Sequence, residues 1–425
     1  MNAADLTQLD YFTDHSLLVN PYEYFRQMHA NGPITPMAGD DTSLLVTGFD
    51  EAVEILRNNK DFSSVISAIG AGKPLSFTPE GSDISDQIEA FRPELGMLNL
   101  LVTYDDKLHS DARFIASKLF TPSRLKATHS FMVEFADQLI KDALAKGTCE
   151  LVSDIATPFV TLVIADLLGV PPEDRDKFRK VLDDAPSHGN LDDQAGSEMN
   201  SPLAFMAMFF MEYIQDRRQN PRQDMLTHLA QATYPDGSLP EVIEMVKLCG
   251  FLFGAGQDTS AKLLSNSIRY IVDIPGMQDQ LRTDYSLIPK LLEEVLRLEG
   301  STKCTFRLAR RDTRVGDRLI PAGTRLTLSL AAANRDPRRW QNPDEFQLDR
   351  PKIKEHLSFS RGVHTCAGAP LARIEVQTML ERLFDKTSYI NLNEAKHGKP
   401  GDRQLTYDPS FITRGLTELY VDLKG

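Results

Sequence analysis

Residues 357–375 read LSFSRGVHTCAGAPLARIE. Cys366 stands in a tight loop here, with Gly362 four residues before it and Gly368 two after it. The run beyond the loop predicts a helix starting directly after it. Glycines let a backbone approach something flat or bulky and adopt conformations barred to other residues. A cysteine at a helix N-terminus has its thiolate favoured by exposed N–H groups and the helix dipole. That thiolate could serve as a nucleophile or a metal ligand, whereas a free cysteine is otherwise a small buried hydrophobe. The loop alone leaves all three readings open.

The 425 residues carry a net charge of −13, which argues against nucleic acid and against an anionic membrane surface as main partners. Cys149, Cys249, Cys304 and Cys366 are widely scattered, with no CxxC and no zinc spacing. This usage predicts a reduced, cytoplasmic compartment. The polar, acidic start MNAADLTQLDYFTDHS does not read as a signal peptide or membrane anchor. No unbroken apolar run is long enough to span a bilayer. The chain has no fixed-period repeat and no low-complexity linker.

In chain order, the pattern predicts a helix over 22–29, a strand over 44–47 and a helix over 49–58. Residues 61–100 are rich in Gly, Ser and Pro and read as a long irregular loop, which in a compact protein is usually functional or else disordered. In 103–122, TYDDKLHSDARFIASKLFTP, His109 and Arg113 are four apart and share a helix face, which by itself is an ordinary solvated face. Residues 123–240 read as mostly helical, with breaks at 169–172 and 187–202. The Met- and Phe-rich segment 203–214 is a core helix by periodicity. Residues 241–272 form one long helix despite Gly250, Gly254 and Gly256, each costing roughly 1 kcal/mol relative to Ala, so close approach or a local opening is expected there. Asp258 and Thr259 put an acid and a hydroxyl into its otherwise apolar middle. Glu294 and Arg297 form an ExxR pair, a weak signal by itself. RLIPAGTRLTLSL, 318–330, carries a turn and then a strand alternation. Beyond Phe384 the chain reads as strands and turns.

The cysteine loop resembles the haem-binding loop of the cytochrome P-450 superfamily through Phe359, Gly362, His364, Cys366 and Gly368. Leu371, Ala372, Arg373 and Glu375 follow as in its bacterial members. Ser360 stands where the family usually has glycine, a departure expected to need only a small adjustment. Ala255-Gly256-Gln257-Asp258-Thr259 is similar to the family's oxygen-activation motif, with Ser260 in place of a second threonine. The resemblance extends to HxxxR at His109 and Arg113 ahead of Phe120-Thr121-Pro122, to ExxR with Arg350 as its partner, and to ANRDP at 333–337. It covers about residues 20–420.

What the resemblance implies is a mainly α protein with a smaller β region (α+β). It would be a single large triangular helical domain over 1–425 enclosing haem b, iron protoporphyrin IX. Residues 61–100 would cover the substrate, 203–214 would belong to a mobile lid, 241–272 would activate oxygen and 357–368 would hold haem. Cys366 would be the axial iron ligand. His109, Arg113, Arg307 and His364 would hold the propionates, and Ala255, Phe359 and Gly368 would line the cofactor. Asp258 and Thr259 would organise protons, while Glu294, Arg297 and Arg350 would form a buried structural network. Residues 301–304 would line the pocket, where Lys303 suits a substrate carboxylate.

The expected activity is hydroxylation of a hydrophobic small molecule with O2 and two electrons. Those electrons come from NAD(P)H through a separate iron–sulfur ferredoxin and its reductase, because no flavin or iron–sulfur module is evident in the chain. Lys118, Arg124, Arg338, Arg339 and Arg361 would form a basic docking patch for the acidic ferredoxin. Three other readings compete: a peroxide-driven haem-thiolate peroxygenase, which the Asp258–Thr259 pair disfavours; a haem sensor without turnover; and a Cys366–His364 hydrolase, which lacks an orienting third group.

Overall fold

The computed structural model describes residues 5–183 and 202–425. The predicted break over 187–202 lies outside the described residues except at Pro202, where the helix Pro202–Gln219 begins. The chain falls into two compact units.

The first comprises Met1–Ser110, Leu296–Cys366 and Asp408–Arg414. Its centre is a five-stranded sheet in the order Ile34–Met37, Asp40–Val46, Arg325–Ser329, Cys304–Ala309, Phe62–Ser63. Every neighbouring pair is antiparallel except Asp40–Val46 with Arg325–Ser329, where Leu44 lies beside Leu326 and Val46 beside Leu328. Arg325–Ser329 is buried along its whole length, as a central strand covered on both faces should be. The turn at Pro321-Ala322-Gly323 divides the predicted strand region in two. Arg318–Ile320 pairs with Thr313–Val315 as a separate ribbon, and the chain then enters the main sheet. Gly323 makes that turn with φ +83°, and a side chain there would strike Pro79.

One face of the sheet packs an aromatic cluster. Tyr11 stacks on Tyr24 at 5.9 Å, and Phe12 meets Phe411 edge-on at 5.3 Å, with Phe306 among them. A second cluster gathers Phe49, Leu326, Leu328, Trp340 and Leu357. Residues 61–100 are less irregular than expected. Ser85–Phe91 is helical and Arg92–Leu98 continues as tighter turns. Ile84, Ile88, Phe91 and Leu95 are all buried, a helical spacing that the surrounding Gly, Ser and Pro masked. The expected helices over 22–29 and 49–58 are Tyr22–Asn31 and Phe49–Arg57.

The second unit comprises Asp111–Val295, Ala367–Tyr407 and Gly415–Gly425. It is largely helical around Pro122–Lys146, Thr157–Leu168, Val242–Asp273 and Ala369–Lys386. Thr157–Leu168 is buried on nearly every side, and it ends at Gly169 in a left-handed cap, the break expected there. A small sheet of Thr148–Glu150, Tyr420–Lys424 and Tyr389–Leu392 completes it. In Pro202–Gln219, Met206, Phe210 and Ile214 form a buried stripe while Met208 is 72% exposed. The segment is thus a core helix on one face only.

Buried residues at 84, 88, 91 and 95 make this stretch a packed element, so Ile88→Ala should lower stability by about 2–4 kcal/mol in a denaturant melt. A loss under 0.5 kcal/mol would mark it as loosely held loop.

Candidate active site

The cysteine loop is fixed from within. The Ser360 N–H donates to the Leu357 carbonyl at 2.7 Å, and the Cys366 N–H donates to the Phe359 carbonyl at 2.9 Å. Gly362–His364 form a tight helical turn, closed by Thr365 N–H and hydroxyl onto the Gly362 carbonyl. Gly362 has φ +74°, and a Cβ there would collide with the Leu56 carbonyl oxygen at the end of helix Phe49–Arg57. Glycine is therefore required twice over at this position. Gly368, by contrast, caps helix Ala369–Lys386 with φ −80°, a conformation open to any residue.

Cys366 is exposed, while Cys149, Cys249 and Cys304 are buried, and none of the four is in a disulfide. Burial pushes the thiols of Cys149 and Cys249 up to about 12, so both are inert thiols at neutral pH. The reading of Cys366 as a buried structural cysteine therefore falls away.

Ser360 is a larger departure than the sequence indicates. Its φ is +59°, in the left-handed region where a Cβ costs roughly 1 kcal/mol. Its buried hydroxyl has no hydrogen-bond partner among the described residues.

Around the loop, the same unit gathers polar groups from distant segments. The rings of His109 and His364 lie 4.1 Å apart at 47°. His364 Nε2 is 3.0 Å from the Ser64 hydroxyl. Asp105, four residues before His109, is buried against the Ser63 hydroxyl at 2.5 Å and the Ser64 N–H at 2.9 Å, and it pairs with Arg92 and Arg310. None of Ser64, Asp105, Arg92 or Arg310 carries a signal in the sequence, because their meeting depends on the fold. Arg307 is buried on strand Cys304–Ala309 and donates to the Phe306 carbonyl, the Ser67 hydroxyl and the Thr305 hydroxyl at 2.7–3.3 Å. No carboxylate forms an ion pair with it among the described residues. Burial pulls its guanidinium down to about 10, partly offset by the charge of Asp105. A desolvated cation without a paired carboxylate is a ready anion site. Arg113 lies one turn beyond His109 on helix Asp106–Ser117 and is half-buried.

Arg297 and Arg350 converge as expected, but on backbone. Both donate to the Glu345 carbonyl, at 3.1 and 2.7 Å. Arg297 also reaches the carbonyls of Asn334 and Pro343, and Arg350 those of Gln341 and Asn342. Glu294 is fully buried one turn before Arg297 on helix Ile288–Glu299. Lys303 corrects an expectation. It is fully buried and donates to the Leu18 carbonyl at 2.7 Å, which ties down the N-terminal segment rather than presenting an ammonium to a substrate. Two members of the basic patch are also committed. Arg338 pairs with Glu51 and Asp336 at 2.7 Å, and Arg339 pairs with Glu355. Arg361 donates to the carbonyls of Ser360 and Lys354, and Lys118 sits over the Phe114 ring.

In the second unit, helix Val242–Asp273 runs without a break. A Cβ at Gly250 would meet nothing within 4 Å, and one at Gly256 would make ordinary contact with Ile164. Packing within the chain therefore requires neither glycine, contrary to the expected close approach. Ala255 is exposed, and the Thr259 hydroxyl donates to its carbonyl at 2.8 Å. Asp258 pairs with Lys262 at 2.6 Å. The next residue, Ser260, hydrogen-bonds Glu375 on helix Ala369–Lys386, whose carboxyl is pushed up to about 8 by burial. Arg373 on that helix grips Glu293 with two hydrogen bonds, 2.5 and 3.0 Å.

Residues 98–389 match the sequence model of the cytochrome P450 family. The chain is 30% identical to the biotin biosynthesis cytochrome P450 of Bacillus subtilis over 95% of this chain and 96% of that one. It is 45% identical to the solved Mycobacterium marinum cytochrome P450 CYP150A6 in its substrate-free form, over 98% and 99% of the two chains, with a TM-score of 0.91. It is also similar to P450BioI, solved with an acyl carrier protein ligated to hexadec-9Z-enoic acid, at 28% identity, 96% and 99% coverage and a TM-score of 0.78. The chain belongs to the cytochrome P450 family, whose members carry haem, and it is a P450-type monooxygenase. The mainly helical fold with a smaller β region is that of the family.

Two stability measurements test the site. Ser360→Gly removes both the left-handed Cβ and the unpartnered hydroxyl, so it should raise stability by about 1 kcal/mol in a denaturant melt; an unchanged midpoint would refute the strain. Glu375 has a folded-state pKa near 8, above its ordinary value of about 4.3. Between these limits the folded state binds more protons than the unfolded one, so stability falls as pH rises. Glu375→Gln should therefore gain on the wild type from pH 5 to pH 8, read as the difference in Tm. A constant difference across that range would rule out the raised pKa.

Proposed function

We propose that this chain hydroxylates a hydrophobic small molecule as a haem-thiolate monooxygenase, taking electrons from NAD(P)H through a separate ferredoxin and its reductase. The observation that carries the reading is that Cys366, exposed where the other three cysteines are buried, sits on a loop that its own backbone hydrogen bonds hold rigid. The residues fit haem b. Cys366 would supply the thiolate ligand to the iron, and Phe359, Gly368 and Ala255 would help to hold the cofactor. Arg307, with no carboxylate paired to it, would receive a propionate together with His109, Arg113 and His364. Arg297 and Arg350 hold the segment ahead of the loop, Glu294 would complete their buried network, and none of the three takes a chemical part. The bound haem supplies oxygen activation, which thiolate ligation favours over reversible O2 binding.

The chain's own residues do the rest. The helix start beyond Gly368 would favour a thiolate at Cys366. Thr259, with its hydroxyl donated to the Ala255 carbonyl, and Asp258 hold and pass protons. That acid–hydroxyl pair favours the O2-dependent reading over a peroxide-driven one. The whole chain acts as one catalytic domain in this proposal, and four cysteines outside any disulfide fit a reducing cytoplasm.

The fatty acyl ligand in the P450BioI structure supports an apolar substrate class. Among the described residues no helix is long and apolar enough to cross a membrane. With Arg338 and Arg339 neutralised, docking of an acidic ferredoxin falls mainly on Arg361, Lys118 and Arg124.

Carbon monoxide binding to the dithionite-reduced protein should give the strongly red-shifted Soret band of thiolate ligation, and Cys366→His should abolish it. A band typical of histidine ligation in the wild type would overturn the axial assignment. Thr259→Ala should oxidise NAD(P)H with little product, and tight coupling in that variant would remove Thr259 from the proton path. Arg361→Glu should raise the apparent KM for ferredoxin, and an unchanged value would remove the docking claim.

A further inference from the structure

Lys262 lies one helical turn beyond Asp258 on Val242–Asp273, and it is only 8% exposed. Its Nζ is 2.6 Å from Asp258 Oδ2. Ion pairs at this spacing usually lie in solvent and contribute little. This one differs because the ammonium is desolvated, and a desolvated charge needs a counter-ion. The path of the lysine stem is prepared by Gly415. A Cβ at 415 would fall onto Lys262 Cγ, Cδ and Cε. Gly415 is not among the positive-φ glycines, so the lysine stem, not the backbone conformation, demands glycine there. The carboxylate is thereby held at one oxygen. Among the described residues Oδ1 of Asp258 receives no hydrogen bond from the protein, so one oxygen is locked and the other is presented.

We propose that Lys262, seated over Gly415, is a positioning residue that fixes the direction of the Asp258 carboxylate beside Thr259. The clamp stands on the geometry of this chain; its catalytic consequence rests on the monooxygenase reading. An acid free to rotate about its side-chain bonds spends little time aligned for proton transfer, and loosening a positioned group by a fraction of an ångström is costly to rate. The Gly415 slot makes the clamp dependent on a segment far away in sequence, so a change at 415 acts on Asp258 without touching either charge.

Lysine acetylation by an N-hydroxysuccinimide ester, followed by mass spectrometry of the full chain, reads the clamp independently of haem and turnover. In the wild type Lys262 should react at least about tenfold more slowly than the exposed Lys126, because only local opening frees it. Asp258→Asn and Gly415→Ala should each raise the Lys262 rate several-fold. Fast labelling in the wild type, or a rate indifferent to Asp258→Asn, overturns the clamp.

The positioning role is read in the reconstituted system as product formed per NAD(P)H and as the solvent deuterium isotope effect. Lys262→Met should lose about tenfold in coupled turnover with a larger isotope effect. Lys262→Arg should recover most of it. Gly415→Ala should reproduce the loss, and the double variant should lose no more than either single one. Wild-type coupling in Lys262→Met, or in Gly415→Ala should the first fail to fold, overturns the role even if labelling upholds the clamp. A histidine-type carbon monoxide band would instead sink the monooxygenase reading and leave the labelling result standing.

Discussion

Cys366 is exposed on a loop whose backbone is nonetheless held in place, and the contact of Gly362 with the Leu56 carbonyl is what reconciles the two. An exposed loop is normally mobile. Here the absence of a Cβ lets residue 362 lie directly against the end of helix Phe49–Arg57. Once the loop is seated there, the Cys366 N–H can close onto the Phe359 carbonyl. The cost of this path appears at Ser360, which is driven into a left-handed conformation with its hydroxyl unpartnered. A strained serine beside a cysteine loop is tolerable because the surrounding hydrogen bonds over-determine the backbone.

The buried charges follow a related logic. Arg297 and Arg350 are satisfied by backbone carbonyls, Lys303 by the Leu18 carbonyl, and Arg373 by Glu293. These arrangements are closed, and they are structural. Arg307, Asp258 and Glu375 are different. Arg307 is desolvated without a paired carboxylate, Asp258 keeps one oxygen unoccupied, and Glu375 has its proton affinity raised by burial. Groups of this kind are candidates for ligand binding or proton handling.

Much of this was legible in the sequence. The cysteine loop, the Asp258–Thr259 pair, the His109–Arg113 spacing and the long helix are local patterns, and each lies where the reading put it. The errors came where chemistry depends on residues far apart. Lys303 looked like a pocket cation because its neighbours resemble pocket residues, yet its ammonium ends on residue 18. Arg338 and Arg339 looked like free surface charge, yet both meet carboxylates brought in by other segments, Glu51 and Glu355. Lys262 was four residues from Asp258 in plain sight, but nothing in the spacing said that its ammonium would be buried.

The sequence by itself determined the family, the helical character and the placing of the cysteine loop and of the Asp258–Thr259 pair, because these rest on residues within one turn or one loop of each other. The tertiary structure alone decided which charges are neutralised, which polar groups stay open and which glycines are indispensable. Those outcomes follow from desolvation and from the approach of segments remote in the chain, as when Gly415 makes room for Lys262 and Leu56 forbids a side chain at 362. Spacing along a chain does not encode that proximity.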